Sequence, residues 1–216
     1  MIELRNLTKF YPSNSGKQYV FKDVNFIIPS GYNIAILGAN GAGKSTLFRI
    51  LSGSEYPNGG AVITDKKLSW PISFNFGIHP QMTGRENTRF IGRVNGVSDL
   101  NLYEEKVRCF SELDKKFDLL AKSYSSGMKS KLAFACCISI DFDTYLVDEA
   151  FSVGDQKFRN KAKIALKDKS DSSNLLMVSH NYNEIKEFCN SAILLNKNEL
   201  KFYPDLEEAI DIYKKI

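Results

Sequence analysis

The chain has 216 residues, of which 43% are hydrophobic and 25% are charged, and its formal net charge is +4. This composition is typical of a globular protein with a substantial core, and it excludes collagen-like and low-complexity chains. No apolar run approaches the roughly 20 residues of a membrane span, so we expect neither a span nor a leader segment. With two histidines, four cysteines and no C-x-x-C pair, we expect reduced thiols and no dedicated zinc site.

The first thirty residues predict two strands joined by a loop. Residues 2–7 alternate between apolar and polar, and residues 19–29 are rich in Val, Phe and Ile. Residues 11–16 between them form a turn-rich segment. Tyr11 in this segment has two interpretations: it stacks on an adenine ring, or it is a strand-end aromatic that covers the core.

The next segment, Gly38–Thr46, reads GANGAGKST and matches the phosphate-binding pattern G-x-x-x-x-G-K-[ST]. A buried strand is predicted just before it and a helix just after it, which is the setting that the pattern requires. Its glycines allow a tight turn whose N–H groups bind an anion at the start of the helix. We predict that Lys44 reaches the β- and γ-phosphates of a nucleotide and that Ser45 ligates Mg²⁺. The predicted nucleotide-binding residues are Gly38, Ala39, Asn40, Gly41, Ala42, Gly43, Lys44, Ser45 and Thr46.

Residues 71–122 predict a helical block inserted into a strand-rich domain. Thr83 and Glu86 form a capping box that opens a helix through Val94, and residues 100–113 continue helically. Three phenylalanines are interpreted as core residues or as the lining of a groove for a partner helix. They are Phe74, Phe76 and Phe90.

Strands alternate with helices in the rest of the chain, which predicts an α/β fold. Strands are expected at residues 59–70, 143–148, 175–178, 192–195 and 200–203, and helices at residues 129–140, 155–167 and 206–213.

Two strand ends carry residues that suit a nucleotide site. Asp148 and Glu149 end one strand, at the edge where open α/β sheets bind ligands. Asp148 would orient Mg²⁺ through its water shell, and Glu149 would polarise the attacking water. His180 ends the next strand and could contact the γ-phosphate. The structural alternatives are a surface acid pair and an ordinary structural histidine.

Two loops offer further polar groups. Ser125, Ser126 and Gly127 open a predicted helix, so they form either a second anion site or an ordinary N-cap. The turn at residues 152–155 ends in Asp155, which either reaches across an interface or caps the helix that follows.

In this order, the motifs resemble those of the ATP-binding-cassette (ABC) ATPases over essentially the whole chain. The resemblance implies a P-loop NTPase of α/β class, with an antiparallel β-subdomain and a helical signature subdomain inserted at about residues 72–140. It implies a single domain over residues 1–216, in which Tyr11 stacks on adenine. It further implies that Ser125–Gly127 is the signature loop and that His180 is the switch histidine.

Two loops depart from the family pattern. In the signature loop, Ser126 replaces the first glycine and Met128 replaces the glutamine. The loop that usually offers a glutamine to Mg²⁺ instead offers His79, and Gln81, two places on, is the alternative for this role. The segment at residues 83–87 sets a frame that favours His79 as the metal ligand.

Four segments closely resemble those of the ATPase subunits of capsular-polysaccharide exporters, and relatives for O-antigen and teichoic-acid export look similar. They are residues 69–71, 83–87, 124–128 and 147–155. The resemblance implies ATP hydrolysis with Mg²⁺ by a head-to-tail homodimer, peripheral on the cytoplasmic face of the inner membrane. An integral membrane permease is the expected partner, and nucleic acid is not. We expect no carbohydrate-binding domain after residue 216.

Two other classes stay open at this stage. A soluble ABC ATPase acting on nucleic acid or ribosomes is disfavoured by the single phosphate loop and by the lack of a basic cluster with interleaved aromatics. A nucleotide-binding regulator without hydrolysis is disfavoured by Glu149 and His180, although His79 and the altered signature loop keep it open.

Overall fold

A computed structural model describes residues 1–13, 16–72, 77–149, 155–196 and 198–215. The chain divides into two compact units. The first contains Met1–Pro71, Phe142–Asp148 and Ser173–Ile216, and the second contains Ile72–Asp141 and Glu149–Ser172.

All described strands lie in the first unit. They are β1 (Ile2–Ser13), β2 (Gly16–Ile28), β3 (Ile34–Leu37), β4 (Gly59–Thr64), β5 (Thr144–Asp148), β6 (Asn174–Val178), β7 (Ser191–Asn196) and β8 (Glu199–Tyr203). Its helices are α1 (Lys44–Leu51), α6 (Tyr182–Phe188) and α7 (Leu206–Tyr213), and those of the second unit are α2 (Gly84–Val94), α3 (Leu100–Ser111), α4 (Ser126–Ile138) and α5 (Gln156–Ser170).

A three-stranded antiparallel sheet has the order β2-β1-β4. The predicted loop at residues 11–16 is wrong in extent, because β1 continues to Ser13 and β2 begins at Gly16. Cross-strand pairing of Phe10 with Tyr19, whose ring centroids lie 5.5 Å apart, extends this hairpin. Tyr11 is therefore a strand residue, paired with Gln18.

A five-stranded sheet has the order β5-β6-β3-β7-β8, parallel except for β8, which runs antiparallel to β7. All four residues of β3 are buried, which explains its continuous apolar run, since parallel strands are covered on both faces. β3 leads into the phosphate loop, β5 ends at Asp148, and β6 leads into Ser179 and His180. The parallel pairing brings these three ends to one edge of the sheet.

Two predicted elements differ from the structure of this unit. The strand pair at residues 59–70 is one strand, β4, followed by an isolated bridge between Leu68 and Thr144. Helix α6 lies outside the predicted elements, because its 7 residues bury only Ile185 and Phe188, too few to give helical periodicity.

The regular elements that the structure describes in the second unit are all helices. The predicted capping box is confirmed: Thr83 Oγ1 accepts from the N–H of Glu86 at 3.1 Å, and the N–H of Thr83 donates to Glu86 Oε2 at 2.8 Å. The carboxylate of Glu104 on α3 pairs with Arg85 and Arg89 on α2, which joins the two helices.

Three of the four cysteines lie in the interior of the protein. Cys136, Cys137 and Cys189 are buried, and burial raises the pKa of the Cys136 thiol to about 12, which makes it unreactive. Phe90 is 51% exposed, so its interpretation as a core residue is wrong. Phe74 and Phe76 lie outside the described residues. Among the helices that the structure describes, none combines the length and apolar character needed to cross a bilayer.

Candidate functional site

The phosphate loop connects β3 to α1 in the first unit. Gly43 has φ 106° and caps the helix, and a Cβ there would lie 2.5 Å from Val20 Cγ1. Gly38 is required for a different reason, since a Cβ there would lie 2.6 Å from the carbonyl oxygen of Leu195 on β7. The N–H of Ala42 donates to the carbonyl of Ala39 at 3.1 Å, which closes the turn. The sequence therefore folds into the tight loop that its pattern predicts.

The start of α1 is suited to an anion. Gly43 offers no capping side chain, and the first turn of the helix contains no acidic residue. The first N–H groups of a helix have no partner within it, and the helix dipole places partial positive charge there. Ser45 is exposed at this end of the helix.

Lys44 lies over the same loop. Its ammonium donates to the carbonyls of Gly38 at 2.7 Å and Ala39 at 3.0 Å. The hydroxyl of Tyr213 on α7 donates to the same Gly38 carbonyl at 3.1 Å. Sequence reasoning missed Tyr213, because its only sequence signal is an aromatic residue at the end of an amphipathic helix.

A small cavity of about 60 Å³ opens beside the loop. Gly38, Lys44, His180 and Tyr213 are among its lining residues, so the structure brings His180 to the phosphate loop. Asp148 is paired with Val178 across β5 and β6, at the same edge of the sheet. Asp148 and His180 therefore lie at the edge of the sheet that carries the phosphate loop, within the first unit.

Glu149 follows Asp148 in the chain and is the first residue of a segment that belongs to the second unit. It is exposed, and its φ of 52° is unusual for a residue other than glycine. Backbone conformations of this kind concentrate at functional sites, where the surrounding structure holds them in place.

Tyr11 is half-buried in β1, and its hydroxyl donates to Glu55 Oε1 at 2.7 Å. Arg49 donates to the Glu55 carboxylate, and Lys9 pairs with Glu55 and lies over the Tyr11 ring. Sequence analysis did not identify these three charged residues, because no motif contains them.

The oxygen donors of the first unit fit Mg²⁺. Ser45 and Asp148 supply a hydroxyl and a carboxylate, which are the hard ligands that this cation prefers. Mg²⁺ usually retains waters and substrate phosphate oxygens, so two protein ligands are enough.

His79 fits the cation less well. Its Nδ1 accepts the N–H of Gln81 at 3.3 Å, so a neutral ring carries its hydrogen on Nε2. A protonated nitrogen donates a hydrogen bond and does not ligate a metal. As placed, the His79 ring would therefore offer a donor to a phosphate or a water.

The backbone around His79 is held by one side chain, that of Asn87. Its Oδ1 accepts the N–H of His79 at 2.7 Å, and its Nδ2 donates to the His79 carbonyl at 3.1 Å. Nδ2 also donates to the carbonyls of Met82 and Thr83 at 3.2 and 2.9 Å. Asn87 is fully buried, so it fixes this loop against the start of α2.

The predicted signature loop begins α4 in the second unit. Ser125 is the N-cap, with its Oγ accepting the N–H of Met128 at 3.2 Å, and the first turn of α4 contains no acidic residue. Ser126 and Gly127 lie at the same helix end, beside a groove of about 960 Å³. Lys115, Lys116 and Lys131 also line this groove, together with Glu112, Asp114 and Asp155, so the positive and negative charges of its lining balance. The feature that suits an anion here is the acid-free start of α4.

Asp155 is the N-cap of α5, because its Oδ1 accepts the N–H of Phe158 at 2.9 Å. Its Oδ2 accepts from Lys131 at 2.7 Å, and that hydrogen bond lowers the pKa of the carboxyl to about 2. The capping interpretation of Asp155 is therefore confirmed, while residues 152–154 lie outside the described residues.

Comparison with known proteins agrees with this geometry. A family model described as ABC transporter matches residues 21–152. The chain is 48% identical to the polysialic acid transport ATP-binding protein KpsT of Escherichia coli, over 100% of this chain and 99% of that protein. It is 37% identical to the capsule polysaccharide export ATP-binding protein CtrD of Neisseria meningitidis serogroup B, over 100% of both chains.

A solved dimeric ATP-binding cassette, in a post-hydrolysis state with ADP and Pi, is similar in structure. The TM-score is 0.77 at 23% identity, over 95% of this chain and 99% of that one. The α/β cassette fold that the sequence implied is confirmed. The chain belongs to the family of ABC transporter ATP-binding proteins.

Proposed function

We propose that the chain is the ATP-hydrolysing subunit of an exporter that moves capsular or related polysaccharide across the cytoplasmic membrane. The observation that carries the proposal is the phosphate loop, with Lys44 over an acid-free helix start and with Asp148 and His180 at the same sheet edge. The substrate class is supported by the relatives, whose names describe transport of polysialic acid and export of capsule polysaccharide.

Each predicted residue has a role in phosphoryl transfer to water. The amides of Gly38–Thr46 and the ammonium of Lys44 bind the phosphates, while Ser45 and Asp148 hold Mg²⁺, which neutralises charge on the β- and γ-oxygens when bound. Glu149 polarises the attacking water, and His180 contacts the γ-phosphate. His79 stays a predicted metal-site residue, acting through its Nε2 hydrogen and a water. Tyr11 stacks on the adenine.

Two copies are proposed to hold two ATP molecules head-to-tail. The phosphate loop of one copy binds each nucleotide, and Ser125–Gly127 of the other copy covers it with a second helix N-terminus. The dimeric state of the structurally similar cassette supports this arrangement. We treat residues 1–216 as one cassette domain with its helical subdomain at about residues 72–140.

The proposed membrane partner is an integral permease that docks on the helical unit from the cytoplasmic side. That unit exposes apolar side chains that such a contact would bury. They are Phe90, Val94, Leu102, Leu119 and Leu120. Nucleic acid is not a proposed partner.

The test is Glu149→Gln, which keeps the size of the side chain but removes the base. We expect hydrolysis to slow by roughly 10²–10⁴-fold, the scale of losing a general base, while ATP-bound dimers accumulate. Phosphate release and light scattering with and without ATP measure the two effects. Turnover at the unmodified rate would remove Glu149 from this role, and Lys44→Ala is the comparison variant that should lose nucleotide binding or turnover.

A further inference from the structure

The hydroxyl of Tyr11 belongs to a closed hydrogen-bond network in the first unit. It donates to Glu55 Oε1 at 2.7 Å and accepts from Arg49 Nη2 at 3.1 Å. Arg49 Nε in turn donates to Glu55 Oε2 at 2.7 Å. The phenol oxygen is thus held by one acceptor and one donor, and the third contact joins these two partners to each other. Together the contacts determine where the ring lies.

Lys9 adds a second constraint on the same ring. Its ammonium pairs with Glu55 Oε1 at 2.7 Å, donates to the carbonyl of Tyr56 at 2.9 Å, and lies 5.2 Å from the centroid of the Tyr11 ring. Only 9% of the Lys9 side chain is exposed, and a charge that is nearly buried is tolerated when it is paired.

Glu55 is the centre of the network. Burial favours the neutral acid, but hydrogen bonds from Lys9, Arg49 and Tyr11 outweigh it and lower the pKa of Glu55 to about 2. The carboxylate is therefore charged at neutral pH and accepts from all three side chains. Charge-assisted hydrogen bonds of this kind are stronger than neutral ones.

The network also reaches the phosphate loop. Arg49 Nη2 donates to Thr46 Oγ1 at 3.1 Å, and the Tyr11 hydroxyl lies 3.4 Å from the same oxygen. Thr46 is the last residue of the phosphate loop and lies in the first turn of α1. The Tyr11 ring is thus tied to the helix whose N-terminus is suited to phosphates.

We propose that Glu55 and Arg49 are positioning residues for the nucleotide base. They hold the Tyr11 ring at a fixed distance from the phosphate loop, so that a purine base and its triphosphate are engaged together without further ordering of the site. Lys9 occupies one face of the ring, and the base stacks on the other. This inference rests on the proposed function, in which Tyr11 stacks on adenine, and holding a ring in its bound position improves affinity by reducing the cost of ordering it.

The experiment compares ATP with tripolyphosphate, which has the phosphates but no base. Dissociation constants are measured by calorimetry for the unmodified protein, Glu55→Gln, Tyr11→Phe and the double variant. We expect each single variant to raise the Kd of ATP by roughly 3- to 10-fold, the scale of one hydrogen bond, and to leave the Kd of tripolyphosphate unchanged. The double variant should have a Kd for ATP no higher than that of the single variant with the higher Kd, because both changes affect the same contact between Tyr11 and Glu55.

The matched control is Glu3→Gln. Like Tyr11, Glu3 lies on β1, and its carboxylate pairs with Arg5 at 3.0 Å. This ion pair is exposed, and neither residue belongs to the network around Tyr11. It should bind both ligands like the unmodified protein.

Two results would overturn the inference: equal weakening of ATP and tripolyphosphate binding by Glu55→Gln, or fully additive effects in the double variant. The variant Tyr11→Ala distinguishes a failure of the positioning role from a failure of the stacking role in the proposed function. If Tyr11→Ala binds ATP normally, the stacking role itself fails. If Tyr11→Ala weakens ATP binding and Glu55→Gln does not, only the positioning role fails. Should Glu55→Gln lose its fold, Tyr11→Phe removes only one hydroxyl and keeps the test intact.

Discussion

At the scale of single residues, the carbonyl of Gly38 shows how the loop prepares for a nucleotide. It accepts from both Lys44 and Tyr213, at 2.7 and 3.1 Å. An ammonium has three N–H donors, and Lys44 already donates to the carbonyls of Gly38 and Ala39. Reaching two phosphate groups requires two donors, so Lys44 must release at least one of these carbonyls when ATP binds. Tyr213 keeps the Gly38 carbonyl paired during that exchange.

We therefore expect Tyr213→Phe to weaken ATP binding more than it destabilises the ATP-free protein. The loss of one hydrogen bond predicts a Kd for ATP raised roughly 2- to 10-fold, with a small change in the melting temperature of the ATP-free form. Tyr182→Phe is the matched control, because Tyr182 lines the same cavity and contacts Lys214 through its ring. An unchanged Kd, or a loss of thermal stability as large without ATP as with it, would contradict the role given to Tyr213.

At the scale of elements, the loop that carries His79 depends on the helix that follows it. Asn87 on α2 makes four hydrogen bonds to the backbone of residues 79–83, and its side chain is fully buried. A buried amide that satisfies this many backbone groups cannot be removed without leaving some of them unpaired. The position of His79 therefore depends on α2 in addition to the hydrogen bonds within the loop.

Asn87→Ala should lower the free energy of unfolding by about 1–3 kcal/mol, the cost of unpaired buried groups. It should also speed amide hydrogen exchange in residues 79–83 while leaving α4 protected. Urea denaturation and exchange followed by mass spectrometry measure these effects. Asn101→Ala, an exposed asparagine on α3, is the control and should stay within about 0.5 kcal/mol of the unmodified protein. Unchanged exchange in residues 79–83 would show that the loop holds itself.

The elements also show what sequence reasoning can and cannot reach. The phosphate loop, the capping box at Thr83 and helix α7 are encoded by neighbouring residues, so local patterns predict them. The bond from Tyr213 to Gly38 joins residues 175 positions apart, and the Tyr11 network joins three separate segments. Contacts of this kind arise from packing, and no single motif contains them. Helix α6 is missed for the opposite reason, since it is too short to show a period.

At the scale of the whole molecule, the two proposed halves of an ATP site have the same design. Helices α1 and α4 each have a small N-cap residue, Gly43 and Ser125, and neither has an acid in its first turn. Both helix starts therefore attract phosphate, and at the phosphate loop the ammonium of Lys44 lies directly over the loop carbonyls. If each ATP must contact the start of α1 in one copy and the start of α4 in the other, then hydrolysis requires two copies facing each other. A symmetric dimer then contains two equivalent sites.

A mixing experiment tests this requirement directly. Lys44→Ala removes the ammonium of the phosphate loop, and Gly127→Asp places a negative charge at the start of α4, the helix that the signature loop opens. The variant with Asp at this position should fold, because a Cβ on Gly127 would lie 3.9 Å from Ser125 Oγ, an ordinary van der Waals distance. Each variant alone should be inactive, since both of its sites carry one defect. In a mixed dimer one site carries both defects and the other carries none.

Equal amounts of the two variants should therefore regain roughly a quarter of the unmodified activity, because half of the dimers are mixed and each mixed dimer has one intact site. Phosphate release at rising protein concentration, for each variant and for the mixture, gives the result. Either variant hydrolysing ATP fully by itself, or a strictly monomeric protein doing so, would contradict a shared site. Recovery in the mixture requires that the phosphate loop of one copy and the signature helix of the other meet on the same ATP.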